Sequence, residues 1–407
     1  MLIILFVQWE YSRREIKNYI STSNISSVGG FYSIMKIALL LPKSVIYPSI
    51  SFDIMDGFKQ SLKKIGLEGH HEIVSTNIGV GARNNEVYER CEQFLLDGAD
   101  VIIAYINPQI AEFIHSLFVE SGKTLLVLDS GYHFPNFRDK LSNAYFISLQ
   151  GGLCAKVIVD KAIKDGFKKF AFTCSFYDAG YRPSFVIPST VKEKGGEIVL
   201  NHVTQLRRED FTLDPLVNYI KENQEVAILS TFCGDMAEDF FRGLKDFNGN
   251  YSLYGGGFLS DEVWLSKIPY TGRDWSSTVA WSRELETKEN QEFLAVMNVS
   301  KPDKANLFSL LAWEAALFIA FDKTDFDDIS IISPRGKVWM NPETRFTEAP
   351  IYYATVCKDE VSGNCKLKNL QESSETENER RNLELNIEYI RNNEANTWFN
   401  AYACLES

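Results

Sequence analysis

Five short segments of the sequence place aromatic, hydroxyl, amide, thiol and carboxyl side chains directly after apolar runs. Such side chains can hold a small polar molecule, because aromatic rings cover its apolar part and a few polar groups fix its orientation. Asp178 adds a negative charge that could bind an ammonium group. The candidate ligand-binding residues are Tyr47, Ser49, Asn107, Gln109, Ser130, Tyr132, Tyr177, Asp178, Phe232 and Cys233.

Two of these segments also have a purely structural interpretation. Asn107 followed by proline is typical of a helix start, where the Asn side chain caps the first turn. The N–H groups of Gln109 and Ile110 at that helix start also suit a carboxylate, and we expect them to face a ligand. Tyr177 and Phe232 could sandwich an apolar group of the ligand or pack inside the fold. Both interpretations stay open at this point.

The apolar pattern predicts the elements that carry these segments. From Met35 onward, short apolar runs alternate with amphipathic helical stretches, which is typical of βαβ units. The first block has predicted strands at 36–41, 72–76, 101–105 and 124–128, with helices at 52–65, 84–96 and from 108 onward. The second block has strands at 169–174, 197–202, 226–230 and 251–254, with helices at 153–163, 182–194, 213–221 and 237–244.

Two successive blocks of this kind predict two α/β lobes, each with a doubly wound parallel sheet. Helices at 288–297 and 307–321 and a hairpin within 337–356 complete the pattern. In open α/β sheets a ligand binds beyond the carboxyl ends of the strands. The candidate residues follow strands in both lobes, so we expect a binding site between the lobes.

Composition and motifs argue against several other functions. The chain carries 54 acidic and 42 basic residues, a net charge of −12, which disfavours a nucleic-acid partner. Gly79 and Gly81 lack the third glycine of a dinucleotide-binding loop, and the glycines 255–257 lack the Lys of a phosphate loop. His70 and His71 are adjacent and make a poor metal pair. Without a catalytic motif, we expect a protein that is not an enzyme and has no catalytic residues, metal or cofactor.

The cysteines and the chain ends give weaker indications. Seven cysteines, without a CxxC pair, favour reduced thiols and a reducing compartment such as the cytoplasm, although Cys357 and Cys365 could close a short loop. The apolar start, residues 1–9, is too short to span a membrane and is not preceded by basic residues. We expect residues 1–34 to be an extension outside the fold and residues 358–407 to be a polar tail.

Five segments, taken in order, resemble the leucine/isoleucine/valine-binding branch of the type I periplasmic binding proteins. The opening strand and helix read KIALLLPKSVIYPSISFDIMDGFKQSLKKIG, and the second lobe carries YDAGYRPSFVIPSTVKEKGGEIV and EVAILSTFCGDMAEDFFRGLKDFNGNYSLYGGGFLSD. The closing elements are LLAWEAALFIA and SPRGKVWMNPETRFTEAPIYYATV. The resemblance spans about residues 35–357, and the order of the segments carries it.

The resemblance implies two lobes joined by a hinge of three crossings, which we expect near residues 147, 276 and 334. The first lobe would comprise 35–147 plus 277–334, and the second 148–276 plus 335–357. The lobes would close on a ligand by hinge motion. The loop after the third strand reads Tyr-Ile-Asn-Pro, whereas amino-acid binders of the family carry small hydroxyl residues there, so amides and other polar solutes stay open.

The resemblance also implies a function. It predicts a substrate-binding protein of an ABC transporter that binds an amino acid, an amide or a similar polar solute, with the transporter permease as its partner. The alternative is an intracellular or tethered sensor that uses the same fold without transport. The family suggests a periplasmic or lipid-anchored protein, whereas no export signal is visible, so localisation stays open. The sequence gives no indication of an oligomeric state.

Overall fold

The structure, a computed structural model, describes residues 33–135, 139–245, 247, 249–299 and 303–383. The first lobe opens with a five-stranded parallel sheet in the order β2-β1-β3-β4-β5. Strands β3, β4 and β5 are buried along their whole length, because helices cover both faces of the sheet. The elements are β1 (Lys36–Leu41), α1 (Ile50–Lys64), β2 (Glu72–Asn77), α2 (Asn84–Leu96), β3 (Val101–Tyr105), α3 (Pro108–Ser121), β4 (Thr124–Asp129) and β5 (Ala144–Ser148).

The second lobe repeats this organisation. Its five parallel strands lie in the order β7-β6-β8-β9-β10. The elements are α4 (Gly151–Lys164), β6 (Lys169–Cys174), α5 (Arg182–Glu193), β7 (Glu197–Val203), α6 (Asp214–Glu222), β8 (Ala227–Thr231), α7 (Gly234–Lys245), β9 (Leu253–Gly256), α8 (Glu262–Leu265) and β10 (Trp275–Val279).

The chain then returns to the first lobe and finally to the second. Helix α9 (Lys288–Met297) and helix α10 (Leu307–Ile319) return first, and α10 packs against α1. A small antiparallel sheet of β11 (Ser330–Ser333), β12 (Gly336–Met340) and β13 (Thr347–Glu348) lies beside β5. Strands β14 (Tyr352–Lys358) and β15 (Cys365–Glu372) extend the second sheet antiparallel to β10.

The prediction of two parallel-sheet α/β lobes is confirmed, but the third of the expected crossings differs from the strand pairing. Strand β10 pairs with β9 along residues 276–278, so the second crossing follows Val279, three residues beyond the expected position. Phe346 forms a parallel bridge with Phe146 of β5. This bridge keeps β12 and β13 with the first lobe, and the third crossing therefore lies at 349–351 rather than near 334.

The polar tail predicted from residue 358 also needs correction. Residues 365–372 form β15, whose Cys365 and Leu367 are buried although the strand is rich in lysine. A helical stretch at 376–383 packs on the second lobe through buried Glu379. The predicted extension, residues 1–34, lies outside the described residues except for its last two.

The cysteines only partly follow the expectation of reduced thiols. Five of them, including Cys357 and Cys365, are free, so these two do not close the short loop. Cys233, in contrast, is disulfide-bonded. Within the ranges that the structure describes, no helix is long and apolar enough to cross a membrane.

A buried ion pair braces the crossings between the lobes. Arg335 and Glu314 are both fully buried, and the guanidinium donates to the two carboxylate oxygens at 2.7 and 2.8 Å. Arg335 also donates to the carbonyl oxygen of Ser148, at the end of β5, at 2.9 Å. Because the pair connects α10 to the end of β5, it fixes where the first crossing begins.

Candidate ligand-binding cleft

The carboxyl ends of strands from both lobes face each other across a cleft. From the first lobe, the segments after β1 and β4 reach into the cleft, and from the second lobe the segments after β6 and β9 do so. This is where open α/β sheets bind ligands. The segment Gly257–Ser260 forms a 3₁₀ turn directly after β9, and it receives side chains from the first lobe.

Tyr132, in the turn after β4, contacts the second lobe across this cleft. Its hydroxyl oxygen accepts the N–H of Phe258 at 2.8 Å, and its carbonyl oxygen accepts the N–H of Arg182 at 2.8 Å. Its ring meets the rings of Phe258 and Tyr181 edge to face, at 5.0 and 6.1 Å between centroids. Tyr132 is therefore bonded to the opposite lobe at both its backbone and its side-chain end.

A second tyrosine from the first lobe bonds to the same part of the second lobe. Tyr47 donates its hydroxyl to the carboxylate of Asp261 at 2.7 Å, and both side chains are buried. Burial raises the pKa of Asp261, and burial together with the nearby Asp261 raises the pKa of Tyr47. Asp261 also caps helix α8 by accepting the N–H of Val263 at 3.1 Å. The bond joins the first lobe to the helix that follows the 3₁₀ turn.

Asp178 is a buried acid of the second lobe that lies close enough to Tyr132 to act on its phenol electrostatically, although it does not line the small cavity between the lobes. It follows β6, and its Oδ2 accepts the hydroxyl of Ser175 at 2.5 Å and the N–H of Cys233 at 3.2 Å. Its other oxygen, Oδ1, is buried and has no hydrogen-bond partner among the described residues. Burial raises the pKa of Asp178 to about 7. An unpartnered carboxylate oxygen of this kind suits a ligand group that donates hydrogen bonds and carries positive charge.

Further acids line the same region. Glu262 accepts the N–H of Arg283 at 2.8 Å and the hydroxyl of Ser282 at 3.2 Å, and burial raises its pKa to about 7. Asp129, at the end of β4, accepts the hydroxyl of Ser148 at 2.7 Å, and burial raises its pKa. The cleft therefore carries several carboxyl groups whose charged forms are disfavoured by burial.

A small cavity remains between the lobes beside Tyr132. Its volume is about 30 Å³, and it is lined by Ser130, Tyr132 and Leu307 from the first lobe and by Gly257, Phe258 and Asp261 from the second. A cavity of this volume holds a water molecule or two, since one water needs roughly 10–15 Å³ by this measure. A solute as large as an amino acid therefore needs either a wider cleft or a displaced side chain.

Four of the predicted residues meet at this cleft. Tyr47 and Asp178 lie on opposite faces, as described above, and Tyr132 lies between the faces. Ser130 lines the cavity, and its hydroxyl accepts the N–H of Tyr132 at 3.3 Å. Sequence reasoning identified these four because each lies in the segment that follows a strand whose carboxyl end faces the other lobe.

Asn107 caps the start of α3, as in the structural interpretation of this segment. Asn107 Oδ1 accepts the N–H of Ile110 at 2.9 Å, so this N–H is not available to a carboxylate, and the expectation that it faces a ligand is wrong. The Gln109 side chain lies 3.5 Å from the carbonyl oxygen of Phe134. Ser49 is exposed, and its hydroxyl donates to Asp53 within α1 at 2.7 Å.

The predicted aromatic sandwich does not form. Phe232 is fully buried in the core of the second lobe, where its ring stacks on Phe240 with 4.5 Å between centroids. Its partner in the prediction, Tyr177, is half-buried and meets Phe176 edge to face at 6.1 Å. Cys233 contributes its backbone N–H to Asp178 and is itself buried. Phe232 points inward because the bulky apolar face of α7 covers the end of β8.

Several residues of the cleft were not predicted, among them Asp129, Phe258, Asp261 and Glu262. The signal for the last three was the segment after the glycines 255–257, which ends in the acidic pair Asp261 and Glu262. Gly257, the last of these glycines, forms part of the cavity wall. What the sequence did not indicate was that a tyrosine of the other lobe occupies this place.

One group of carboxylates elsewhere in the second lobe has the spacing of a metal site. Asp160, Glu375 and Glu379 place one oxygen each within 4.8 Å of one another. Lys194, however, donates to both Asp160 and Glu379, at 2.9 and 2.5 Å, and Lys164 lies 2.8 Å from Asp160 and from Glu375. The carboxylates already have cationic partners, so the group is a salt-bridge cluster.

Comparison with known proteins gives a family and a set of similar folds. The sequence matches the family described as periplasmic binding protein over residues 35–320. Comparison with curated proteins finds no significant match.

Similar solved structures include a solute-binding protein of an ABC transporter from Rhodopseudomonas palustris HaA2 in complex with p-hydroxybenzoic acid. It is 20% identical with a TM-score of 0.67, covering 84% of this chain and 96% of that one. An ABC transporter substrate-binding protein from Sphaerobacter thermophilus is 17% identical with a TM-score of 0.72, covering 84% and 98%. A substrate-binding protein from Desulfitobacterium hafniense in complex with Leu is 12% identical with a TM-score of 0.60, covering 82% and 99%. The family and these neighbours are solute-binding proteins rather than enzymes.

Proposed function

Since the chain belongs to the periplasmic binding protein family, we propose that it binds a small polar solute that carries an amino group and delivers it to an ABC importer. Asp178 is the observation that carries the proposal. The carboxylate is buried on the face of the second lobe, and its Oδ1 has no hydrogen-bond partner among the described residues. A buried carboxylate is stabilised by a cation, and an ammonium group also supplies the missing donor.

The surrounding charges support a cationic group over a purely anionic solute. Asp261 and Glu262 line the cavity and Asp129 lies beside it, and burial raises the pKa of each of them although Arg182 and Arg283 act in the opposite direction. The helix start at Asn107, which could have received a carboxylate, uses the N–H of Ile110 for its own cap. Structural neighbours have been solved with Leu and with hydroxybenzoate. Of these two chemistries, an amino-acid-like ligand fits the acids of this cleft better.

The amino group is tested with pairs of compounds that differ only in that group. L-leucine is compared with 4-methylpentanoate, and 4-(aminomethyl)benzoate with 4-methylbenzoate, by calorimetry on the full chain. We expect the amine of at least one pair to bind tenfold or more tightly than its partner, about 1.4 kcal/mol. Asp178→Asn should remove the difference, whereas Asp214→Asn, at an exposed position of α6, should keep it. Tighter binding by the carboxylates without an amine would contradict the proposal.

The pH dependence of binding gives a second test. Because burial raises the pKa of Asp178 to about 7, a large part of the protein carries a neutral carboxyl group at that pH. An ammonium ligand binds the charged form, so its affinity should fall as the pH is lowered from 8 to 6, by up to about tenfold per pH unit below the pKa. In Asp178→Asn the affinity should not change across this range. Affinity that rises on acidification would contradict the role of Asp178.

Delivery and sensing differ in the partner that responds to the bound solute. An importer reconstituted in vesicles should hydrolyse ATP faster when this protein and its solute are added together. A sensor built on the same fold would bind the solute without stimulating an importer. Mass spectrometry of small molecules released from the purified protein identifies the solute for this assay, and we expect it to carry an amino group.

A further inference from the structure

The ring of Tyr132 sits on two glycines of the opposite lobe. A Cβ atom at Gly151, the first residue of α4, would lie 2.2 Å from two carbons of the ring. A Cβ atom at Gly257 would lie 1.9 Å from the hydroxyl oxygen. Distances this short do not occur in folded proteins, so the ring fits only because both positions lack a side chain. Gly151 and Gly257 therefore form a site on the second lobe that fits this ring, and we call these two positions the seat of Tyr132.

The hydrogen bonds described above fix the ring in that seat. The backbone N–H of Phe258, which the hydroxyl accepts, belongs to the same 3₁₀ turn as Gly257. The N–H of Arg182, which the carbonyl accepts, belongs to the first turn of α5. Tyr132 thus connects one segment of the first lobe to two separate elements of the second.

The seat coincides with the cleft in which the family binds its ligands. With the ring in place, the space left beside it is about 30 Å³, far less than an amino acid or a benzoate occupies. Tyr132 is also close enough to Asp178 for that carboxylate to contribute to the raised pKa of the phenol. The ring and an enclosed solute therefore need the same space.

We infer that Tyr132 is an internal competitor of the ligand, which holds the two lobes together from inside the cleft until a solute displaces its ring. The competition with a solute rests on the function proposed above. The contact that holds the lobes together does not, because it involves only residues of this chain. The two parts can therefore be tested separately.

Removing the competitor should change affinity in a definite direction. When a fraction of the molecules is in a state that excludes the ligand, the apparent dissociation constant increases in proportion. Tyr132→Phe loses one hydrogen bond, which is worth a net 0.5–1.5 kcal/mol, so binding should become about twofold to tenfold tighter. Tyr132→Ala also removes the ring and should bind at least as tightly as Tyr132→Phe. If Tyr132 were instead a ligand contact, both variants would bind more weakly.

The first experiment needs no ligand. Small-angle X-ray scattering on the full chain, dialysed to remove solutes, measures the radius of gyration. Tyr132→Ala should give a larger radius than the unsubstituted protein, because the lobes lose the contact of this ring and keep the bond from Tyr47 to Asp261. The matched control is Tyr145→Phe, a tyrosine whose hydroxyl bonds to Asp325 within the first lobe at 2.8 Å. An unchanged radius in Tyr132→Ala would overturn the inference.

A second variant tests the seat while keeping the tyrosine. Gly257→Ala places a methyl group where the hydroxyl lies, so it should eject the ring and increase the radius as Tyr132→Ala does. Gly257 has a φ of +60°, so part of the effect is backbone strain. Gly272→Ala controls for the strain, because Gly272 has a φ of +87° and open space around it. Equal radii of gyration for Gly257→Ala and Gly272→Ala would overturn the proposed seat.

The third experiment connects the two parts, with L-leucine and 4-(aminomethyl)benzoate as probes. Tighter binding of either probe by Tyr132→Phe supports the competition, and weaker binding overturns it. If neither probe binds any variant while Tyr132→Ala increases the radius, the contact between the lobes stands and the proposed ligand class fails. If the radius does not change and a probe binds, the function stands and the inference fails.

Discussion

Two buried carboxylates of the second lobe have opposite surroundings. Glu379, in the helical stretch at 376–383, is fully buried, and its oxygens lie 2.5 Å from the ammonium of Lys194 and 3.5 Å from that of Lys156. Asp178, in the cleft, is 2% exposed and has only a hydroxyl and a backbone N–H as partners. Glu379 thus pairs with two ammonium groups, whereas Asp178 has no cationic partner among the residues that the structure describes.

The pKa values of the two regions follow these surroundings. Burial raises the pKa of Asp160, which lies beside Glu379, but hydrogen bonds from Lys164 and Lys194 outweigh burial, and the pKa is lowered. Burial raises the pKa of Asp178 to about 7, because no cation compensates for it. A buried charge is costly unless it is paired. The comparison indicates that the salt-bridge cluster stabilises the fold, whereas Asp178 lacks a cationic partner among the described residues, which is the basis of the ligand-binding role that we propose for it.

The largest effect should come from breaking the cluster. Lys156 is fully buried, 2.5 Å from Glu193 and 3.5 Å from Glu379. Lys156→Met leaves these acids short of a cation and should lower the free energy of unfolding by about 3–5 kcal/mol, the range for breaking a buried pair. Urea unfolding followed by circular dichroism measures this loss.

Lys161 provides the control on the same helix. It pairs with Asp165 one turn away at 2.5 Å, and both side chains are about one-third exposed. Lys161→Met should therefore cost less than about 0.5 kcal/mol. Equal unfolding midpoints for the two variants would show that the cluster does not stabilise the fold, and the contrast with Asp178 would disappear.

The sequence indicated the second-lobe sheet but not this cluster. Strands such as β6 and β8 are continuous apolar runs, and their burial between helices makes the pattern readable. Strand β15 reads CKLKNLQE, because it is an edge strand with one exposed face, and we had assigned it to a polar tail. The buried Glu379 follows it and has its cations on α4 and beyond α5, so only the fold brings them together.

The cleft was predictable in position but not in detail. The order of strands and loops predicted Tyr47, Ser130, Tyr132 and Asp178 at the cleft. Ser130 and Tyr132 line its cavity and Tyr47 bonds to Asp261 in the cavity wall, whereas ligand binding stays a prediction for all four. Whether a side chain points into the cleft or into its own lobe depends on packing that a single sequence does not show. Phe232 illustrates this, because it directly follows β8 as predicted but stacks on Phe240.

The second-largest effect concerns Asp178. Replacing this acid should not lower the free energy of unfolding at pH 8, in contrast to replacing Lys156 in the cluster. The folded pKa, about 7, is above the ordinary aspartate value of 3.8, so the folded state binds the proton more tightly than the unfolded state. Stability should therefore fall as pH rises from about 4 to about 7, by up to about 4 kcal/mol at 1.36 kcal/mol per unit. Asp178→Asn should lack this decrease and be at least as stable as the unsubstituted protein at pH 8. Urea unfolding at a series of pH values measures it.

Asp214→Asn is the control, because Asp214 is exposed in the same lobe. Its stability should follow the pH profile of the unsubstituted protein. If Asp178→Asn is instead less stable than the unsubstituted protein at pH 8, the carboxylate is already satisfied within the fold. Asp178 would then resemble the acids of the cluster.

The smallest effect, close to zero, is expected for divalent cations at the cluster. Asp160, Glu375 and Glu379 have the spacing of a metal site, but each of the three carboxylates already pairs with Lys164 or Lys194 through at least one oxygen. A cation would have to displace ammonium groups that are already in place. Calcium chloride should therefore raise the melting temperature no more than sodium chloride at the same ionic strength, since only a ligand that binds the folded state stabilises it.

Replacing one lysine should make the cluster bind calcium. Lys194 bonds to both Asp160 and Glu379, so Lys194→Gln leaves two carboxylates without their shared cation, next to Glu375. Oxygen ligands at this spacing suit calcium, and the melting temperature of this variant should rise with calcium but not with sodium. A calcium-dependent rise in the unsubstituted protein would mean that the lysines do not satisfy the acids. The cluster would then, like Asp178, be open to a cation from outside the chain.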